Sequence, residues 1–128
     1  VPGMRVLIVR GGDAQGRPAG RDWLAQALDA AGAQRETVVA YRRLAPALDA
    51  AQRRLAGEGA AGRALWLFSS SEAIANLRAA LPATDWRAAR AIATHPRIAQ
   101  AARGAGFGTV RESAPLLEAL VASIESLA

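Results

Sequence analysis

Cysteine and lysine are both absent from this chain of 128 residues. Without cysteine there are no disulfides, iron–sulfur clusters, thiolate zinc sites or thiol nucleophiles. Without lysine there is no amine to form a Schiff base. The single histidine, His95, would need several carboxylates beside it to hold a metal, and the sequence offers no such cluster, so neither metal nor cofactor is expected. Aromatic residues are scarce at 5%: one tyrosine, Tyr41, two phenylalanines, and Trp23, Trp66 and Trp86, which read as core or connector packing. No apolar run approaches the roughly 20 residues that cross a bilayer. Nor is there a basic-then-apolar leader pattern, so a cytoplasmic protein without a membrane partner is expected.

What remains is the composition of an ordinary folded domain, 52% hydrophobic and 21% charged. A chain of this length buries roughly two-thirds of its extended surface, enough for a core of its own. All 16 basic residues are arginine, against 11 acidic ones, for a net charge of +5. Together with the excess of alanine this points to a GC-rich, bacterial genome. Arginine's planar fork suits carboxylate and phosphate. The arginines are spread from Arg5 to Arg111 rather than clustered, so a nucleic-acid partner is not expected. The adjacent pairs Arg42-Arg43 and Arg53-Arg54 read as solvated faces.

Short apolar runs alternate with helical patterns. Val6 to Val9 is a strand of the kind buried on both faces, followed by a glycine-rich loop from Gly11 to Gly20. Leu24, Ala27, Leu28 and Ala31 recur at helical spacing, with Gly32 as the stop. Thr37 to Tyr41 is a second strand. Leu44, Leu48, Ala51 and Leu55 mark a second helix closed by Gly57 and Gly59, and Leu65 to Phe68 a third strand. Ser69 to Glu72 matches a capping box, with Ile74, Leu77 and Leu81 behind it. After a connector from Pro82 to Ala89, Ala91 to Ala93 form a short fourth strand. Pro96 fits the first position of a helix striped by Ile98, Ala101, Ala102 and Ala105. Gly108 to Val110 is a fifth strand, and Ser113 caps a last helix burying Leu117, Leu120, Val121 and Ile124. This order predicts an α/β fold, a flavodoxin-like three-layer sandwich on a mostly parallel five-stranded sheet. Ligands of such folds sit outside the carboxyl ends of strands.

Three turns lie there. Gly11 and Gly16 have P-loop spacing, but Arg17 and Pro18 stand where lysine and a hydroxyl would be needed, which excludes nucleotide hydrolysis. The loop remains an anion-contacting candidate, with Arg10 and Arg21 near its ends. Ser69, Ser70 and Ser71 lack the Gly-x-Ser-x-Gly elbow and suit helix capping or carboxylate binding rather than nucleophilic attack. Thr94, His95 and Arg97 open the next helix. Tyr41, at a strand end, is either a packing residue with a wet tip or a phenol able to exchange a proton.

MRVLIVRGG and GRDWLAQALDAAGAQRETVVAYRRLAP resemble the start of the second half of uroporphyrinogen-III synthases. LWLFSSSEAIANL, AIATHPRIAQAARGAGFGTV and SAPLLEALVASI resemble the rest of that half in the same order. The resemblance covers nearly the whole chain. It implies a cofactor-free lyase of tetrapyrrole and heme biosynthesis, built from two flavodoxin-like lobes. Such an enzyme closes hydroxymethylbilane, a linear tetrapyrrole polycarboxylate, with inversion of the last pyrrole ring and loss of water. Tyr41 matches the tyrosine implicated in loss of the hydroxyl. Ser69, Ser70 and Ser71, then Thr94, His95 and Arg97, match cleft-facing turns. Arg10, Gly20 and Arg21 match the ligand-facing turn of the other lobe. The chain departs from the family in a longer Gly11–Gly20 loop, and in Ala93, His95 and Pro96 where many members carry glycine and paired threonines.

The resemblance implies the C-terminal half of the enzyme, inactive by itself. Residues 1–43 supply a first β-α-β unit, 44–59 a connecting helix or hinge, and 60–128 the remaining β-α units. Either the pieces fold onto each other as one lobe, or two chains exchange the first unit in a homodimer. A rival reading is a non-catalytic flavodoxin-like module that binds a small anion or a protein partner.

Overall fold

The computed structural model describes residues 2–128. Strands and helices alternate throughout: β1 (Arg5–Gly12), α1 (Trp23–Ala30), β2 (Gln34–Arg42), α2 (Ala50–Ala60), β3 (Leu65–Phe68), α3 (Ser71–Ala80), β4 (Arg90–Ala93), α4 (Pro96–Ala105), β5 (Thr109–Glu112) and α5 (Leu117–Leu127). Every strand pairing is parallel. The α/β class expected from the alternation is therefore observed. The single five-stranded sheet is not: β1 and β2 form one sheet, and β3, β4 and β5 another in that order. A strand's side-chain pattern says that a segment is extended and which faces are apolar. It does not say which neighbour its backbone will choose. The chain divides accordingly into two units, Val1–Ala45 and Pro46–Ala128.

In the first unit β1 is longer than its apolar run, because Arg10, Gly11 and Gly12 continue the ladder with β2. On α1 the buried residue is Ala25, with Leu28 half-buried, while Leu24 and Trp23 are exposed. The expected stripe was thus one position out of phase at Leu24, and Trp23 is not a packing residue. Val6, Ile8, Thr37 and Val39 are half-buried on one face of the sheet. The alternate positions Leu7, Val9 and Val38 are exposed.

The second unit carries the core. Central strand β4 has Ala91, Ile92 and Ala93 with no exposed surface. Around it lie Phe68, Ile74, Trp86, Ile98, Ala99, Ala102 and Phe107, with Trp66 packed against them. Trp66 stacks on Phe68 at 5.7 Å and Trp86 on Phe107 at 5.1 Å, and the two pairs meet edge to face. Offset and edge contacts of this kind add to area burial.

Several helix limits differ from the sequence pattern. The second helix starts not at Leu44 but after Asp49, whose carboxylate accepts from the Gln52 backbone N–H while the Gln52 side chain accepts from the Asp49 N–H. It then runs through Gly57 and Gly59 to Ala60 instead of stopping at them. At Gly59 a β-carbon would fall 2.7 Å from the Trp66 indole nitrogen, so packing rather than helix termination explains that glycine. Ser113 does not cap α5: its hydroxyl donates to the Ala114 carbonyl, and the helix begins four residues later. No residue of α5 is buried, and Leu117, Val121 and Ile124, expected in the core, are exposed. Arginines meet two helix ends here. Arg53, read as a solvated face, donates to the Ala80 carbonyl at the end of α3, and Arg90 donates to the Leu127 carbonyl at the end of α5. A cation there also suits the negative end of the helix dipole.

Candidate functional site

The expected site residues fall into two groups, one in each unit. In the first unit the glycine-rich loop is not a loose insertion. The Asp13 carboxylate accepts the backbone N–H groups of Gln15 and Arg17 at 3.0 and 2.9 Å, an Asx-type turn. The loop returns to β1 through Gly12, which bridges to Pro18, and through the Ala19 N–H, which donates to the Gly11 carbonyl. Arg10 braces this return. Its Nη2 donates to the carbonyls of Ala19 and Arg21 at 2.6 and 3.2 Å, and its Nη1 lies 3.6 Å from the Asp22 carboxylate. With a side chain 18% exposed, Arg10 is a structural brace more than an open anion fork. Gly20 sits beside that brace, with its β-carbon position 3.2 Å from Arg10 Nη2. Arg21 is exposed and opens the approach to α1.

Tyr41 stands at the carboxyl end of β2, paired with Gly11 of β1, and is 55% exposed. Its hydroxyl accepts a long contact of 3.5 Å from Arg43 Nη2, and the Arg43 guanidinium lies 5.9 Å from the ring centroid. This wet phenol at a strand end can exchange protons or hold a hydroxyl group. Sequence reasoning missed Arg43 and Gly11 as its neighbours. The available signal was spacing: in extended chain, residues two apart share a face.

In the second unit the other two turns come together at the carboxyl ends of β3 and β4, where the Thr94 N–H donates to the Phe68 carbonyl at 3.1 Å. The expected capping box is replaced by a simpler cap one residue later: Ser70 Oγ accepts from the Ala73 N–H at 3.3 Å. Ser69 is exposed, and Ser71 Oγ is buried without a hydrogen-bond partner. A buried hydroxyl left unpaired costs about 1–3 kcal/mol, which leaves Ser71 as a polar group open to a partner. His95 caps α4, its Nδ1 accepting from the Arg97 N–H at 3.1 Å, with Pro96 at the first turn as expected. That contact requires Nδ1 unprotonated. The Arg97 side chain is exposed. Two helix starts thus lie on neighbouring strands, but the first turn of α4 offers no open amide: Pro96 has no N–H, and the Arg97, Ile98 and Ala99 N–H groups donate to His95.

A cavity of about 510 Å³ in the first unit is lined by Arg5, Val6, Leu7, Gln34, Arg35 and Glu36. It lies at the amino ends of β1 and β2, the end where parallel α/β folds do not hold ligands. Among the described residues no three histidine or carboxylate side chains gather to hold a metal ion, and no helix is long and apolar enough to cross a membrane.

These features define a parallel α/β protein with ligand-type turns at its strand ends. The family model described as uroporphyrinogen-III synthase HemD matches residues 1–122, and the chain belongs to that family. A uroporphyrinogen-III synthase-like, lyase-type cyclase function in tetrapyrrole biosynthesis follows from that membership. No curated protein matches the chain.

Proposed function

We propose that this chain is the C-terminal half of a cytoplasmic, bacterial uroporphyrinogen-III synthase, with hydroxymethylbilane as substrate and Tyr41 as the proton donor to its departing hydroxyl. The observation that carries this is the single phenol of the chain, exposed at the carboxyl end of β2 in a protein matched to the family over residues 1–122. In the step, the C–O bond of the hydroxymethyl group breaks and its oxygen takes the phenol proton and leaves as water. The pyrrole nitrogen's electrons stabilise the cation left on carbon. Attack by the substituted α-carbon of the last ring, followed by breakage of that carbon's bond to the neighbouring bridge and re-formation of the bond at the ring's free α-carbon, closes the macrocycle with the ring inverted, and the proton released on rearomatisation returns to the phenolate. Ser69, Ser70, Ser71, Thr94, His95 and Arg97 at the α3 and α4 starts, and Gly20 and Arg21 beside the Arg10-braced loop, receive the substrate's carboxylates. Hydroxyl and guanidinium groups there suit a polyanion. Holding the chain so that one closure wins is a task of geometry more than of acid–base strength.

The strand orders β2-β1 and β3-β4-β5 both occur within a flavodoxin-like 2-1-3-4-5 order, which supports that reading of the fold. The first β-α-β unit either completes a lobe with its own chain or is exchanged between two copies in a homodimer. Light scattering that finds only monomer removes the exchange. The functional test supplies hydroxymethylbilane to the complete gene product and scores isomer III against isomer I. Predominance of isomer III is expected, with Tyr41→Phe slowing turnover about 100-fold. Isomer I alone overturns the reading in favour of a non-catalytic anion- or protein-binding module.

A further inference from the structure

How Tyr41 is held supports a further step, which rests on the role proposed for it above. The two strands of the first unit keep a regular register from Arg5 with Gln34 to Arg10 with Val39. Ala40 is then passed over, so that Gly11 pairs with Tyr41 and Gly12 with Arg42. In unbroken register Ala40 would lie beside Gly11. An extra residue in one strand bends it and re-aims the side chains that follow.

The re-aimed ring lies against the backbone of Gly11. A β-carbon built on that residue would fall 2.6 Å from Tyr41 Cε2 and Cζ and 2.8 Å from the hydroxyl oxygen, well inside contact distance. Only glycine leaves the ring where it is. Arg43 then approaches the hydroxyl itself, with Nη2 at 3.5 Å. A guanidinium has donors and no acceptor. The phenol oxygen therefore accepts in this contact, and its own proton stays available for a third group.

We propose that Gly11 and Arg43 are positioning residues for Tyr41: glycine seats the ring at the end of β1, and arginine takes the phenol's acceptor side so that its proton points to the substrate. Neither residue needs to touch the bilane for this. Their effect is expected in turnover rather than in substrate affinity.

Tyr41 is the only tyrosine of this chain, and with ring-labelled tyrosine its signals in an NMR spectrum of the complete gene product are identified as those lost in Tyr41→Phe. Cross-peaks between those ring protons and the Gly11 α-protons are expected in the parent, and their loss in Gly11→Ala with the rest of the spectrum kept. The same variant should lower kcat about 10–100-fold at nearly unchanged KM, as expected for a displaced reacting group. Arg43→Leu should lower kcat about tenfold, and Arg43→Gln, which keeps a donor, should recover part of it. Missing cross-peaks in the parent overturn the inference. So do Gly11→Ala and Arg43→Leu variants that turn over like the parent while Tyr41→Phe is slow. If Tyr41→Phe turns over normally, the reading of Tyr41 falls and the positioning role falls with it, while the cross-peaks still report the seat, so the two failures are separable.

Discussion

The two units of this chain divide the work of a protein unequally. Among the described residues, Ala25 is the one buried hydrophobic side chain of the first unit, and the rest, from Ala56 to Phe107, lie in the second. The second unit has a central strand covered on both faces, four aromatic rings in mutual contact and helix ends tied by arginine. The first has a two-stranded sheet with Leu7, Val9 and Val38 exposed on one face. Two strands alone are marginal in water. Yet the first unit carries Tyr41, the braced loop and the register slip. Order there comes from hydrogen bonds of the Asp13 turn and the Arg10 brace rather than from apolar burial. The chemistry proposed for Tyr41 therefore sits on the part with least core beneath it.

The largest expected effect tests the stable side of this contrast. Phe107→Ala removes a ring that meets Trp66, Phe68 and Trp86, and should cost about 3–5 kcal/mol in denaturant unfolding. A loss below about 1 kcal/mol would mean that the aromatic cluster does not carry the second unit. On the first unit, Leu7→Thr at a 59% exposed position should change stability by no more than about 0.5 kcal/mol. A loss of about 2 kcal/mol that grows with protein concentration would instead mean that a second copy covers this face, and the contrast would then describe an incomplete assembly.

The smallest effect concerns two exposed ion pairs, one in each unit. Asp85 is held at about 2 by hydrogen bonds from the Arg87 side chain and backbone, and Asp29 is lowered by its hydrogen bonds from Arg35. A carboxylate whose folded value lies below its ordinary ~3.9 stabilises the fold above that pH, and the benefit is lost as pH falls toward the folded value. Asp85→Asn should accordingly flatten the melting-temperature profile between about pH 4 and pH 2. An unchanged slope there would show that the Arg87 contact is not kept in solution.

Strand three was legible to the residue, because Leu65 to Phe68 is a closed apolar run between turn signals. So was the start of α4, where Pro96 and the residue before it leave little choice. Other boundaries were hidden by competing physics. Gly57 and Gly59 look like helix stops until the Trp66 indole is seen lying on the helix at Gly59. The α5 stripe is amphipathic, but periodicity identifies an apolar face and not whether anything in the chain covers it. At the candidate site, the turns were found from their place after strands, whereas individual roles were not. Arg10, expected to face a ligand, also braces its own loop, and Arg43 looked like a solvated charge and meets the phenol. An isolated arginine carries no mark of which carbonyl or ring it will reach.

Residues 43–49 between β2 and α2 belong to neither sheet nor helix, and Leu48 is the one among them that is not exposed. A protease cut in this exposed segment would sever the strand that carries the phenol from the unit that carries the aromatic core while leaving each half's hydrogen-bonded framework whole. One nick at this strap would silence the chemistry proposed for Tyr41 without first having to unfold anything.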